Sequence, residues 1–305
     1  MLTKIRNITL FLSIFFCLLL IVLFQAEIKQ FIFNKYFFIP SPEAASLSID
    51  PTNSLQVDVL NVGQGDAIYI RKNNFDMLID GGPDKSVLYE LGKVMPFWDK
   101  EIDLLVVTHP HDDHVTGLPE VLRRYKVKNI YYSGATHTAP NYLEFLQEVR
   151  KQNIPMKIIT KPENIGLTND LQLNIFWPQE DFSNQKIDNL NNTSIVCKLI
   201  YKNTGFLFMG DAEKVVEEKL LQENIDVSAN VIKVGHHGSS TSSSADFLEK
   251  VNPQMALIPV GAGNTFGHPS LLVTHRLERL GITTYRTDLD GRIELVSDGE
   301  KIAKQ

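Results

Sequence analysis

Three histidines fall within six residues, His109-Pro110-His111-Asp112-Asp113-His114, and the continuous apolar run Leu104–Thr108 leads straight into them. Such a run reads as a strand buried on both faces, as in a parallel sheet covered by helices. The strand delivers imidazoles and carboxylates to its C-terminal end. On a turn, alternate residues His109 and His111 can face one point, while Asp113 and His114 face a neighbouring one. Imidazole nitrogens and a carboxylate are ligands that Zn²⁺ or Mn²⁺ takes. A fold for this chain must bury the strand and keep the turn above it open to an ion.

Two further segments repeat the pattern. The strand-like Val231–Val234 runs into Gly235-His236-His237-Gly238-Ser239-Ser240. One of His236 and His237 can bind metal while the other meets substrate. Gly238, Ser239 and Ser240 leave room and donors for an anionic oxygen. Phe206-Leu207-Phe208-Met209-Gly210 ends in Asp211. That carboxylate can bridge two metals or cap a helix over Ala212–Leu221. His268 is a candidate for protonating a leaving oxygen or gripping a phosphate, or is a loop residue bonded to backbone. Asp66 and Asp80 end strands near glycine pairs and orient ligating histidines or make turns. His275, beside Arg276 in a helical pattern, belongs to a solvated face.

The 305 residues are 43% hydrophobic and 22% charged, enough to build a core and to exclude a disordered or fibrous chain. Cys17 and Cys197 are the two cysteines, which excludes a disulfide framework and a cysteine-based zinc finger. The net charge of −6 argues against sequence-independent coating of DNA. Lys4, Arg6, Lys29 and Lys35 oppose Glu27 in the first 35 residues, so the remainder is more acidic still, at −9.

Ile8–Phe24 is an uncharged run of 17 residues, at the lower limit for a membrane span. Phe24-Gln25-Ala26 is a poor cleavage site, so residues 1–26 read as an uncleaved anchor, with a cleaved signal and secretion as the alternative. Lys4 and Arg6 place the N-terminal end in the cytoplasm and the remainder outside the cell membrane, as a single-pass protein. Residues 27–54 form a linker, with Phe31, Phe33, Tyr36, Phe37 and Phe38 as an interfacial aromatic belt. Residues 55–305 alternate strand-like and helix-like segments. Two sheets between helices fit this pattern, and so does a doubly wound sheet.

Taken together, these residues resemble the metallo-β-lactamase superfamily, whose H-x-H-x-D-H pattern is met by His109, His111, Asp113 and His114. Asp211 matches its bridging carboxylate, and His236 or His237 its final histidine. Within it, Asn61-Val62-Gly63-Gln64-Gly65-Asp66-Ala67, Leu78-Ile79-Asp80-Gly81-Gly82, Lys233-Val234-Gly235-His236-His237-Gly238-Ser239 and Gly267-His268-Pro269 resemble the C-terminal hydrolase domain of the ComEC competence family. The resemblance implies an α/β fold, the four-layer αββα sandwich, over residues 55–305. It also implies a hydrolase using one or two ions of Zn²⁺ or Mn²⁺. One departure stands out. Glyoxalase-type members carry a histidine before the strand leading to the bridging aspartate, where this chain has Asn191-Asn192-Thr193-Ser194. His137 comes too early in the order to replace it. The first ion is then left with His109, His111 and Asp211, completed by Asn192 or water.

Asp113 is expected to orient the attacking water as well as ligate. Three functions follow. The first is an extracytoplasmic phosphodiesterase or nuclease acting on DNA or another phosphodiester. The second is a hydrolase of small esters or lactones. The third is a catalytically idle, metal-stabilised binding domain.

Overall fold

The computed structural model describes residues 53–305. The apolar run Ile8–Phe24 and most of the linker lie outside these residues. Among the described residues, no helix is long and apolar enough to cross a membrane.

The odd–even pattern of the strands decides the layering. In Leu104–Val107 all four residues are buried. Leu104 and Val106 enter one apolar cluster, Leu105 and Val107 another. The first cluster is shared by two sheets, joining Val57, Ile70 and Met77 to Leu173, Leu199 and Phe206. The second sets the opposite face of the first sheet against helices through Leu91, Leu118 and Phe145. A third does the same for the second sheet, packing Leu207, Ile232 and Ala256 on Val216, Leu248 and Leu277. The order is therefore helices, sheet, sheet, helices, as the resemblance implied, and a doubly wound single sheet is excluded.

Among the described residues the first sheet has eight strands, centred on Leu55–Val59, Ile68–Lys72, Phe75–Ile79 and Leu104–Val107. Its first three central strands pair antiparallel, and Leu104–Val107 joins parallel to Phe75–Ile79. The second sheet has seven. It contains the hairpin Val196–Tyr201/Thr204–Phe208, followed by the parallel strands Val231–Lys233 and Met255–Ile258. Leu104–Val107, Thr204–Phe208 and Val231–Lys233 lie near the middle of their sheets. The loops that carry the histidines and Asp211 follow these strands and meet at one end of the sandwich.

Candidate metal centre

Asp113, His114, Asp211 and His237 each offer a ligand atom, and these atoms lie within 4.8 Å of one another. His237 Nε2 is 3.2 Å from Asp113 Oδ2 and 3.4 Å from Asp211 Oδ2. His114 Nε2 is 3.4 Å from Asp211 Oδ2. His109 and His111 adjoin this group. His109 Nε2 stands 3.0 Å from His111 Nδ1 and 4.0 Å from Asp211 Oδ2. Two nitrogens bound to one tetrahedral ion at about 2.0–2.1 Å would be separated by roughly 3.3 Å, close to the observed spacing. Asp211 thus stands between two groups of donors, in the position the sequence assigns to a bridging carboxylate. Its competing role, a helix cap, is not taken: the helix starts at Lys214, and Glu213 precedes it.

Neighbouring side chains fix which nitrogen of each ring faces the centre. His114 Nδ1 bonds Asp80 Oδ2 at 2.8 Å, and Asp80 also accepts from the Thr108 amide and hydroxyl. His237 Nδ1 donates to the Pro259 carbonyl at 2.9 Å, with Asp66 Oδ1 3.3 Å away. His109 Nδ1 lies 3.1 Å from the Thr108 hydroxyl and 3.3 Å from that of Ser194. Ser194 in turn accepts from the Asp211 amide. Each of these three rings thereby directs Nε2 inward, as ligating imidazoles do. Asp66 and Asp80 orient histidines, one of the two roles expected of them.

Lys233 is fully buried between the same groups. Its Nζ reaches Asp66 Oδ2 at 2.5 Å, the Gly210 carbonyl at 2.6 Å and Asp211 Oδ1 at 3.4 Å. Nothing in the local sequence marks Lys233 or Ser194 as part of the site. Their partners are distant in sequence, so local patterns carry no sign of them.

The charge balance argues for a cation. Asp66, Asp80 and Asp211 are buried, and Asp113 is one-third exposed. Burial opposes the charge on His114, yet Asp211, Asp113 and Asp80 hold its pKa well above the ordinary imidazole value. Burial likewise opposes charge on His237, and Asp211 and Asp66 raise its pKa. Burial opposes ionisation of Asp211, but His237, His114 and Lys233 keep it well below the carboxylate range. His109 is held well below the ordinary imidazole value by burial and the nearby His114. Lys233 and the two imidazoles of raised pKa offset only part of the charge of these four carboxylates. A divalent cation performs the same neutralisation and releases the imidazoles as neutral ligands. His114 Nε2 is buried without a well-aligned hydrogen-bond partner, as an atom meant for a metal would be. The residues present therefore fit a divalent ion held by nitrogen and oxygen.

The remaining candidates take different positions. Of the two adjacent histidines, His237 enters the centre. His236 turns away, with Nδ1 3.1 Å from Glu213 Oε1. The Asn192 side chain accepts from the Glu213 amide at 3.1 Å, and its carbonyl accepts from Trp177 Nε1, so it is tied to the helix start rather than aimed at an ion or substrate. The buried Ser239 hydroxyl pairs with Thr241 at 2.9 Å, while Ser240 is exposed. His268 is half-buried beside the centre, 5.3 Å from the His236 ring and stacked on Phe266. His137, set aside by its order in the chain, lies 6.1 Å from the His111 ring. His275 is exposed, as expected.

Comparison with known proteins agrees with this geometry. Residues 60–261 match the family model described as the metallo-beta-lactamase superfamily. ComE operon protein 3 of Bacillus subtilis is 28% identical over 257 residues, covering 78% of this chain and 32% of that protein. Competence protein ComA of Neisseria gonorrhoeae is 28% identical over 259 residues, covering 80% and 32%. The chain thus spans about a third of the length of these relatives. Among solved structures, the metallo-beta-lactamase fold protein YhfI of Bacillus subtilis superposes with a TM-score of 0.53 at 9% identity, covering 83% of this chain and all of that one. At that identity it supports the fold alone. The chain belongs to the metallo-beta-lactamase superfamily and is similar to these competence-operon and competence proteins over about a third of their length.

Proposed function

We propose that this protein is a phosphodiesterase, held outside the cell membrane by its N-terminal apolar segment and using Zn²⁺ or Mn²⁺. The observation that carries the reading is the position of Asp211 between His109/His111 on one side and Asp113, His114 and His237 on the other. Paired donor groups of this kind would suit two cations, one held by His109, His111 and Asp211 and the other by Asp113, His114, His237 and Asp211. When bound, such ions supply a water of lowered pKa and offset the charge that develops on the phosphoryl oxygens.

The chain's own residues do the remainder. Asp113, the partly exposed carboxylate of the centre, would ligate an ion and orient the attacking water. Asp80, Asp66, Thr108 and Ser194 hold the imidazoles in register. Lys233 engages Asp211 Oδ1 and leaves Oδ2 turned to the histidines. His268, at the edge, is placed to contact the leaving group.

The test is turnover of bis-p-nitrophenyl phosphate, single-stranded DNA and a lactone panel by protein loaded with Zn²⁺ or Mn²⁺. The relatives named for competence motivate the DNA arm. Diester cleavage abolished by a chelator and restored by the metal is expected. Turnover confined to lactones would replace this reading with a carbonyl-ester hydrolase. A metal-loaded protein that turns over nothing would be a binding domain.

A further inference from the structure

The end of the sandwich away from the metal centre carries an unusual surface. Phe97 and Trp98 are 83% and 73% exposed, and their rings pack edge-to-face at 4.8 Å. Adjacent large aromatics seldom face water without a partner. They sit in the loop between the helix Ser86–Val94 and the short strand Glu101–Ile102. Asp99, the next residue, anchors the loop by accepting from Arg71 at 2.9 Å.

That salt bridge locates the patch. Arg71 precedes Lys72, whose Nζ bonds Asn53 Oδ1 at 2.7 Å, and Asn53 is where the described chain begins. The aromatic pair and the entry of the chain therefore share one end of the molecule. The metal centre is at the other. In the strand Phe75–Ile79, Asp76 at one end is 3.7 Å from Arg71, while Asp80 just past the other bonds His114. Four residues at ~3.4 Å each separate these points by roughly 13 Å.

In the chain entering at Asn53, 28 residues separate Asn53 from the apolar run Ile8–Phe24, by the numbering. We propose that Phe97 and Trp98 dock on the lipid bilayer into which that run inserts, resting on the proposed anchoring. Aromatic rings partition to the boundary between headgroups and acyl chains, and a tether ending beside them holds them within reach. Several charges around the loop are already paired: Arg71 with Asp99, Lys93 with Glu90, Lys126 and Lys128 with Glu101. Docking is thus driven by the rings and needs no anionic lipid. It turns the metal centre toward the aqueous phase, so the diester substrate comes from solution rather than from the headgroups of the same membrane.

The test uses the full chain in phosphatidylcholine vesicles with and without brominated acyl chains. Trp98 and Trp177 are the two tryptophans, and Trp177 is 8% exposed in the core. Emission is compared between the wild type and Trp98→Phe, a substitution at an exposed site. Brominated lipid is expected to quench the Trp98 contribution at least twofold, with little change between low and high salt, and to leave Trp98→Phe unaffected. Co-flotation with vesicles but no quenching of Trp98 would overturn the docking and leave the anchor standing. Protection from iodide without lipid quenching would mean a protein covers the patch, and would also overturn it. Failure to co-float would overturn both.

Discussion

At the residue scale, His236 and His237 are neighbours in sequence and opposites in structure. Both hold positive φ, at +47° and +50°, a backbone state that turns successive side chains apart. His237→Ala should lower bound metal by about one ion per chain and activity by at least 10²-fold, whereas His236→Ala should keep its metal, as read by elemental analysis. Asp113→Ala should cost roughly 10³-fold in kcat on every substrate. His268→Ala should slow DNA cleavage far more than cleavage of the nitrophenyl ester, whose leaving group needs no proton. Equal losses on both substrates would make His268 structural. Lys233→Met leaves Asp66 and Asp211 without their ammonium. The cost should be on the order of 3–5 kcal/mol in urea unfolding with chelator present, and added metal should recover part of it.

Asp58 gives a pH dependence apart from the centre. Burial, aided by Glu294 and opposed by Arg292, pushes its pKa up to about 7. The folded state therefore holds this proton more tightly than the unfolded chain does. Its penalty is absent below the unfolded value near 4 and grows as pH rises toward 7, to a few kcal/mol at most, at about 1.4 kcal/mol per unit. Asp58→Asn should raise Tm at pH 8 and change it little at pH 4, in a calorimetric series. A Tm difference independent of pH would contradict this.

At the scale of elements, the strands that end in chemistry were legible because they are apolar throughout and stop at histidine or aspartate. The hairpin Val196–Tyr201/Thr204–Phe208 turns over two residues, Lys202–Asn203. Beyond the two-residue strands Glu101–Ile102 and Lys126–Val127, three gave no signal: Glu163–Gly166, Thr283–Arg286 and Ile302–Lys304. Each sits at a sheet edge and is largely half-exposed or exposed, so neither an apolar run nor a clean alternation marks it. The candidate ligands were readable for the same local reason. The network that orients them was not, since Asp80 meets His114 and Ser194 meets His109 only across the fold.

The loop after the first strand shows how tightly these elements close. A Cβ on Gly65 would stand 2.1 Å from the Asp113 carbonyl and 2.9 Å from Pro83. Gly65→Ala must therefore push apart the loop holding Asp66 and the turn holding Asp113. It should lower metal content and Tm together. A variant with wild-type metal content would show that the two loops are not held in mutual contact.

At the scale of the whole molecule, composition and periodicity admitted two architectures. The alternation of buried faces across both sheets selects the four-layer sandwich. The same architecture separates two ends: loops with the candidate metal centre at one, Asn53 and the aromatic pair at the other. Full-length protein should fractionate with membranes and resist release by salt, with residues 55–305 protease-accessible from outside intact cells. Release in soluble form lacking residues 1–26 would instead indicate a cleaved signal.

All of this rests on a buried site that binds divalent cations between His109, His111, Asp113, His114, Asp211 and His237. The most direct measurement is a Zn²⁺ or Mn²⁺ titration followed by calorimetry, on the wild type and on Asp211→Ala, paired with bis-p-nitrophenyl phosphate turnover in the same samples. Stoichiometric binding that raises Tm and switches on diester cleavage is expected, with both lost in Asp211→Ala. A wild type that binds no divalent ion, or cleavage equal in the two proteins, would contradict the site.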